Sequence, residues 1–155
     1  MLNIQIIAIG KLKETYWKQA EAEYLKRLSP YAKIGITELQ EEAFRSVEER
    51  EEIQKKEAEK ILNQLGANDV IIALHERGKE MLSTDLAKIL EQKSQQGNRL
   101  TFIIGGPLGL HESVLEKANI QLSLSQLTFP HQMVRTILLE QLYRSVMIGK
   151  GKYHY

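Results

Sequence analysis

The 155-residue chain contains no cysteine, which excludes a disulfide scaffold, a cysteine nucleophile and any thiolate-bound metal or iron–sulfur site. No apolar run approaches the roughly 18 residues that a membrane-spanning helix requires, so no membrane contact is expected. The first residues lead directly into a predicted strand, without the basic flank and cleavage site of a signal peptide. The four histidines lack metal-ligand spacing, so no metal is expected. These absences favour a cytoplasmic protein.

Charge is unevenly distributed along the chain, although the net charge is only +1. Both ends are basic, whereas residues 38–59 are strongly acidic. A basic carboxyl-terminal segment suits contact with a polyanion such as RNA, but ordinary solvated lysines would give the same charge. Hydrophobic residues make up 43% of the chain. We therefore expect one packed domain over residues 1–155, with a basic tail at 149–155.

Short apolar runs alternate with stretches of helical periodicity along the whole chain. Continuous apolar strands that alternate with helices indicate an α/β fold with a parallel sheet. The stretch 41–65 is dense in Glu and Lys and is predicted to be one long solvated helix. The predicted strands are 3–9, 33–39, 70–74, 100–104 and 120–124, and the predicted helices are 14–28, 41–65, 83–95, 111–118 and 130–147.

Three of the predicted strands end in segments that could enclose a ligand. Gly105 opens the loop 105–109, where glycine allows a close approach of backbone to ligand, although a tight turn explains this loop equally well. The loop has neither Walker nor Gly-x-Gly-x-x-Gly spacing. Leu74 and Leu124 end two other strands, and the carboxyl ends of parallel strands lie at one edge of the sheet. The segment 124–129 offers apolar walls, hydroxyls and free backbone groups, which suit a neutral heterocycle such as adenine better than a bare phosphate.

A series of motifs resembles the RlmH family of 23S rRNA pseudouridine-N3 methyltransferases, which belongs to the SPOUT superfamily. The resemblance implies an α/β sheet with a carboxyl-terminal trefoil knot, which general topology rules would not propose. It also implies a homodimer that acts on 23S rRNA within the ribosome or its large subunit. The motifs, in chain order, are Ile9–Lys13, Tyr24–Leu28, Ile103–Leu110, Leu122–Arg135, Glu140–Arg144 and Tyr153–His154.

The resemblance further implies that S-adenosylmethionine is the methyl donor, bound in the knot. The last helix would lie at the dimer interface, and the tail of one subunit would lie near the cofactor of the other. Many relatives end in lysine or arginine, whereas this chain ends in Tyr155. The implied cofactor contacts are Leu74, Gly105, Leu124, Ser125, Gln126, Leu127, Thr128 and Phe129.

The expected chemistry requires removal of a proton, because N3 of pseudouridine is a poor nucleophile while it is protonated. His154 titrates in a suitable range and is the candidate base. Tyr153 could stack on the target base, and Arg144 could hold a phosphate or stabilise the anionic ring. Glu140 lies one helical turn before Arg144, and this pair could equally be a structural ion pair.

Two other functions remain compatible with the same features. A non-enzymatic, ribosome-associated RNA-binding protein would use the basic ends without binding S-adenosylmethionine. A nucleotide-binding protein or hydrolase would be built on the glycine loop 105–109, but it would need a phosphate-binding lysine or a metal carboxylate near that loop. The sequence offers neither at that place.

Overall fold

The computed structural model describes residues 1–153 of the chain. In this part of the chain, five strands alternate with five helices. None of these helices is long and apolar enough to cross a membrane. The elements are β1 Leu2–Ile9, α1 Thr15–Leu28, β2 Ala32–Leu39, α2 Arg50–Leu62, β3 Val70–Lys79, α3 Ser83–Gln95, β4 Leu100–Ile104, α4 Glu112–Lys117, β5 Ile120–Leu122 and α5 His131–Gly149.

The five strands form one sheet in the order β2-β1-β4-β3-β5, and every neighbouring pair is parallel. This confirms the predicted parallel α/β architecture. Side chains of β1 alternate between the two faces of the sheet, as a strand requires. Ile4 and Ile6 belong to one core cluster, and Ile7 and Ile9 to the other.

Helices cover both faces of the sheet. On one face, α1, α3 and α5 pack around the fully buried Phe102 through Leu28, Leu90 and Leu138. On the other face, Ile61 of α2 contributes to the core together with α4. The carboxyl edge of the sheet is thereby left as the place where loops from several strands meet.

The prediction of one helix over 41–65 is wrong. Residues 40–46 form no helix, Val47–Glu49 form a single 3₁₀ turn, and α2 begins only at Arg50. Tertiary contacts hold residues 40–42 in a non-helical conformation. The backbone N–H of Glu42 donates to Glu57 Oε2 at 3.1 Å, and Lys60 Nζ donates to the backbone oxygen of Gln40 at 2.9 Å.

Strand β3 extends to Lys79, five residues beyond its predicted end at residue 74. Its pairing with β5 shifts register between Leu74 and Lys79. Gly78 makes this close pairing feasible, since a Cβ there would lie only 2.6 Å from the backbone oxygen of Gln121. Strand β5 in turn ends at Leu122 rather than at residue 124.

Directly after β5, the chain passes across the last residues of β3. Ser123 donates its backbone N–H to Lys79 O at 2.9 Å and its hydroxyl to Glu76 O at 3.0 Å. Beyond this crossing, α5 packs against both α1 and α3, although β5 lies at the sheet edge. The trefoil knot itself stays an implication of the resemblance.

Helix α3 has its predicted bounds, whereas α5 does not. Leu82 precedes α3, and its backbone N–H donates to Asp85 Oδ2 at 3.2 Å. Helix α5 includes Gly149, so the tail begins at Lys150 rather than at residue 149. This tail folds back on the helix, because the N–H of Lys152 donates to Met147 O at 2.9 Å.

Candidate functional site

A cleft opens at the carboxyl edge of the sheet, between the ends of β3, β4 and β5. Its narrow interior measures about 120 Å³, and about 600 Å³ is empty when the space open to solvent at its mouth is included. Gln126 is not on its wall and instead lines a shallow pocket with Glu76 and Arg77. The other predicted cofactor contacts all line the cleft: Leu74, Gly105, Leu124, Ser125, Leu127, Thr128 and Phe129.

The glycine loop forms the floor of the cleft and is tightly built. A Cβ on Gly105 would lie 3.0 Å from the side chain of Leu110 and 3.1 Å from the backbone of Gly109, so a larger residue would displace the loop. Gly109 has φ of +84°, a conformation that favours glycine. From α2, Gln54 Nε2 donates to Leu108 O at 2.6 Å and thereby anchors the loop to the helix.

Several residues on the cleft wall were not predicted from the sequence, and His131 is the most informative of them. It is the first residue of α5 and is partly buried. Burial lowers the pKa of its imidazole; the Glu41 carboxylate opposes this shift, and the positive charges of Arg135 and Lys13 add to it. Its position directly after Pro130, at the start of a predicted helix beside the 124–129 loop, was the available signal.

Arg135 is a buried cation that the sequence analysis assigned no role. Only 3% of the residue is exposed, and its guanidinium reaches three acceptors on three different segments. It contacts Glu21 Oε2 at 3.2 Å, Glu38 Oε2 at 2.7 Å and the backbone oxygen of Gly10 at 3.0 Å. Arg135 therefore ties the first turns of α5 to α1, β2 and the end of β1.

The predicted catalytic residues form a second cluster near the end of α5. Arg144 Nε donates to Glu140 Oε1 at 3.0 Å, and this hydrogen bond raises the pKa of the arginine above its usual value. The guanidinium carbon of Arg144 lies 4.9 Å from the centre of the Tyr153 ring, which packs edge-on against Tyr143. The remaining candidate, His154, lies outside the described residues.

The two groups of predicted residues are far apart within one chain. Thirteen helical residues separate His131 at the cleft from Arg144, which corresponds to roughly 20 Å along the helix axis. The Glu140–Arg144–Tyr153 cluster therefore cannot contact a small ligand in the cleft of the same chain. Within residues 1–153, no group of three His, Asp or Glu side chains is placed to hold a metal ion.

Comparison with known proteins relates this fold to methyltransferases. The family described as "Predicted SPOUT methyltransferase" matches residues 2–154. A protein assigned to a methylase family in Neisseria gonorrhoeae shares the fold with a TM-score of 0.52 at 13% identity, covering 92% of this chain and 82% of that one. A similar protein of Haemophilus influenzae Rd KW20 gives 0.52 at 15% identity, covering 97% and 67%.

A third structure, of a Legionella pneumophila protein assigned as a methyltransferase, was determined with S-adenosylmethionine bound. It gives a TM-score of 0.51 at 12% identity and covers 94% of this chain and 66% of that one. At such identities the three structures show a common fold alone. The family match extends over nearly the whole sequence, and the chain therefore belongs to the SPOUT methyltransferase family.

Proposed function

We propose that this protein is a homodimer that transfers a methyl group from S-adenosylmethionine to N3 of a pseudouridine in 23S rRNA. Membership of the SPOUT family supports methyl transfer. The resemblance of the segments 122–135 and 153–154 to the RlmH family supports the pseudouridine. The single observation that carries the proposal is the cleft, which unites seven of the eight residues that the resemblance implies as cofactor contacts.

The chemistry of the cleft suits this cofactor. Leu74, Leu124 and Phe129 provide apolar walls for an adenine ring, and the hydroxyls of Ser125 and Thr128 offer hydrogen bonds. The absence of a side chain at Gly105 lets the loop backbone lie close to a ligand. When bound there, S-adenosylmethionine would supply an electrophilic methyl group on a positively charged sulfur.

Two features of the described residues support a dimer. The Arg144 cluster is too distant to serve the cleft of its own chain, but the tail of a second subunit could reach it. The surface near the cleft mouth is also unusually apolar: Leu82 is 70% and Leu127 is 73% exposed. Ile137 of α5 lies beside Leu82 and is only partly buried. Pairing of two copies across α5 would cover this surface.

In such a dimer, the tail of one subunit would close over the target base at the cofactor cleft of the other. Tyr153 would stack on the base, and Arg144, which Glu140 holds in a fixed orientation, would neutralise negative charge on the ring or a nearby phosphate. A chain of this size has little surface for reading RNA sequence. The shape of the ribosome would therefore select the nucleotide, and the basic ends would bind its backbone.

Calorimetric titration with S-adenosylmethionine and methyl transfer to ribosomes that lack the modification test this proposal. Deletion of residues 152–155 is expected to preserve the dimer and cofactor affinity but to abolish methyl transfer. Tyr155→Phe is the matched control and should retain the rate, because relatives carry a different residue type there. A truncated protein that methylates ribosomes at the normal rate would exclude the tail from catalysis. Ribosome binding without cofactor binding would favour the non-enzymatic alternative.

A further inference from the structure

A second, larger space adjoins the cleft and is lined by none of the predicted cofactor contacts. This groove lies between the loop 10–13, after β1, and the segment 38–44, after β2, and measures about 740 Å³. Lys11 and Lys13 line it together with Glu41 and the aromatic ring of Phe44. Cationic and aromatic groups in one groove are the combination that binds an unstacked nucleotide.

Two of the three carboxylates that line the groove are paired with cations other than its two lysines. Glu38 is paired with the buried Arg135 at 2.7 Å, and Glu42 is paired with Lys60 at 2.8 Å. Within residues 1–153, neither Lys11 nor Lys13 has an ion-pair partner. Their charges are therefore available to a phosphate that enters the groove, although Glu41 stands on the opposite wall.

His131 borders both the groove and the cofactor cleft. It lines the cleft, and its Nε2 would lie 3.5 Å from a Cβ placed on Gly10, a residue of the groove. Glu41 Oε2 would lie 3.2 Å from the same Cβ, so the imidazole and the carboxylate approach one point. Neither ring nitrogen of His131 has a hydrogen-bond partner among the described residues, which leaves Nε2 able to accept a proton.

We propose that the groove takes the target nucleotide and that His131, rather than His154, accepts its N3 proton, an inference that rests on the proposed function. The N3–H bond breaks as its proton moves to Nε2, and N3 keeps the electron pair. With that pair N3 bonds the methyl carbon, while the electron pair of the broken carbon–sulfur bond stays on sulfur. The imidazolium then returns its proton to solvent.

The surroundings of His131 match this role. Burial lowers the pKa of the ring, so the imidazole is neutral and basic at physiological pH. Glu41 stabilises the imidazolium that forms during transfer, whereas Arg135 and Lys13 favour the return of the proton to solvent. On the cleft side, His75 and Glu76 are the other titratable groups on the same wall.

The first test compares His131→Gln with His154→Gln in the full-length dimer. Calorimetry measures S-adenosylmethionine affinity, and single-turnover methylation of ribosomes is followed from pH 5 to 9. His131→Gln should bind the cofactor normally, lose about 100-fold or more in rate at neutral pH, and lose the rise in rate with pH. His154→Gln should keep that pH profile whatever its rate.

Three outcomes overturn the assignment of His131: a normal rate in His131→Gln, loss of cofactor binding in that variant, or loss of the pH-dependent rise only in His154→Gln. A wild-type protein that binds no S-adenosylmethionine, or that binds it without methylating ribosomes, would instead overturn the proposed function. The two failures are therefore distinguishable.

The second test measures binding rather than activity. Lys11→Ala and Lys13→Ala should each weaken ribosome binding. Each should also reduce, by about one, the slope of the logarithm of the binding constant against the logarithm of the salt concentration. Lys88→Ala, on the exposed face of α3, removes the same charge at a distance and should change neither quantity. Phe44→Leu should weaken binding with no effect on the salt slope. Binding that is unchanged in all three groove variants would overturn the groove as the nucleotide site.

Discussion

Arg135 illustrates how one buried charge can decide the position of a helix. Its guanidinium is nearly inaccessible to water but has three acceptors, and two of them are carboxylates that remain partly exposed. Arginine suits this position because its planar, multi-donor head can reach several acceptors at once, which a lysine cannot. The residue holds His131, one helical turn earlier, beside the end of β1.

Arg135→Met is expected to destabilise the fold by ~3 kcal/mol, because it leaves two carboxylates and the Gly10 carbonyl without their donor. Arg135→Lys should lose less stability than Arg135→Met, because the lysine keeps the positive charge. It should still be less stable than wild type, because a lysine leaves at least one of the three acceptors without a donor. Urea unfolding of the wild type and both variants measures the difference. Equal stability of wild type and Arg135→Met would show that Glu21 and Glu38 are satisfied by solvent.

Asp69 stabilises the fold in a pH-dependent way. Burial favours a higher pKa for this carboxyl, but hydrogen bonds from Arg99, the N–H of Gly66 and Thr101 outweigh burial and lower the pKa below its usual value. Such a carboxyl has a lower pKa in the folded chain than in the unfolded chain. It stabilises the fold fully at a pH above its unfolded-state pKa of about 3.9, and this stabilisation is lost as the pH falls through its folded-state pKa.

Asp69→Asn should therefore be less stable than wild type at pH 7, and the two should converge as the pH falls below about 4. Thermal unfolding between pH 3 and 7 measures this. Asp85→Asn is a matched control, because the Asp85 carboxylate accepts one backbone N–H and has no ion-pair partner among residues 1–153. A stability difference that stays constant down to pH 3 would contradict the linkage.

The sequence allowed some of the site to be predicted, residue by residue, for a physical reason. Gly105 and the 124–129 segment follow apolar strands directly, so the parallel topology brings them to one edge. His131 and Arg135 could not be assigned, because their roles depend on Gly10 and Glu41, which are ninety or more residues away in the chain. Local patterns carry no information about such contacts.

Among the elements, α2 has a different role from the solvated helix that its composition suggests. Its exposed face is charged, but Gln54 and Arg50 on its inner side donate to the backbone oxygen of Leu108 at 2.6 and 3.1 Å. The Nε2 of His111, at the start of α4, lies 2.9 Å from Glu51 Oε1. Helix α2 thus supports the floor of the cofactor cleft from behind.

Gln54→Ala is expected to weaken S-adenosylmethionine binding about 3- to 10-fold, because the glycine loop loses its strongest support and must be ordered by the ligand. Lys55→Ala, at the adjacent exposed position of α2, is the matched control and should bind normally. Calorimetric titration of both variants provides the measurement. Normal affinity in Gln54→Ala would show that the loop keeps its conformation without this bond.

The elements also differ in how well they could be predicted. Strands β1 and β4 are mostly apolar and are buried on both faces over residues 6–9 and 100–104, and their positions were predicted to within one residue. The error over 41–65 arose because Glu and Lys favour helix locally, whereas contacts from Glu57 and Lys60 bind residues 40–42 in another conformation. The extension of β3 to Lys79 depends on pairing with β5, which its polar sequence does not reveal.

At the scale of the whole molecule, the proposed site is divided between two subunits. The cleft at the start of α5 would bind the cofactor, and the tail that closes over the target base would come from the partner. The sequence pattern indicated the parallel sheet, whereas the dimer and the trefoil knot were expected only because of the resemblance. Neither is specified by periodicity, since a knot depends on the order of threading and a dimer on a surface outside the chain.

Mixed dimers separate this arrangement from one in which each chain is complete. Gly105→Val would displace the loop against Leu110 and disable the cleft, and deletion of residues 152–155 removes the tail. Each variant alone is expected to be an inactive dimer. A heterodimer of the two, purified through different tags, would retain one intact cleft facing one intact tail and should show about half the wild-type rate.

The reciprocal heterodimer makes the test decisive. If one subunit carries both changes and the other carries none, the intact cleft faces a missing tail and the intact tail faces a disabled cleft, so no activity is expected. A site complete within one chain would give the opposite results, with activity in the second heterodimer and none in the first. Methyl transfer to ribosomes by the two preparations, compared at equal dimer concentration, therefore determines which subunit supplies the tail.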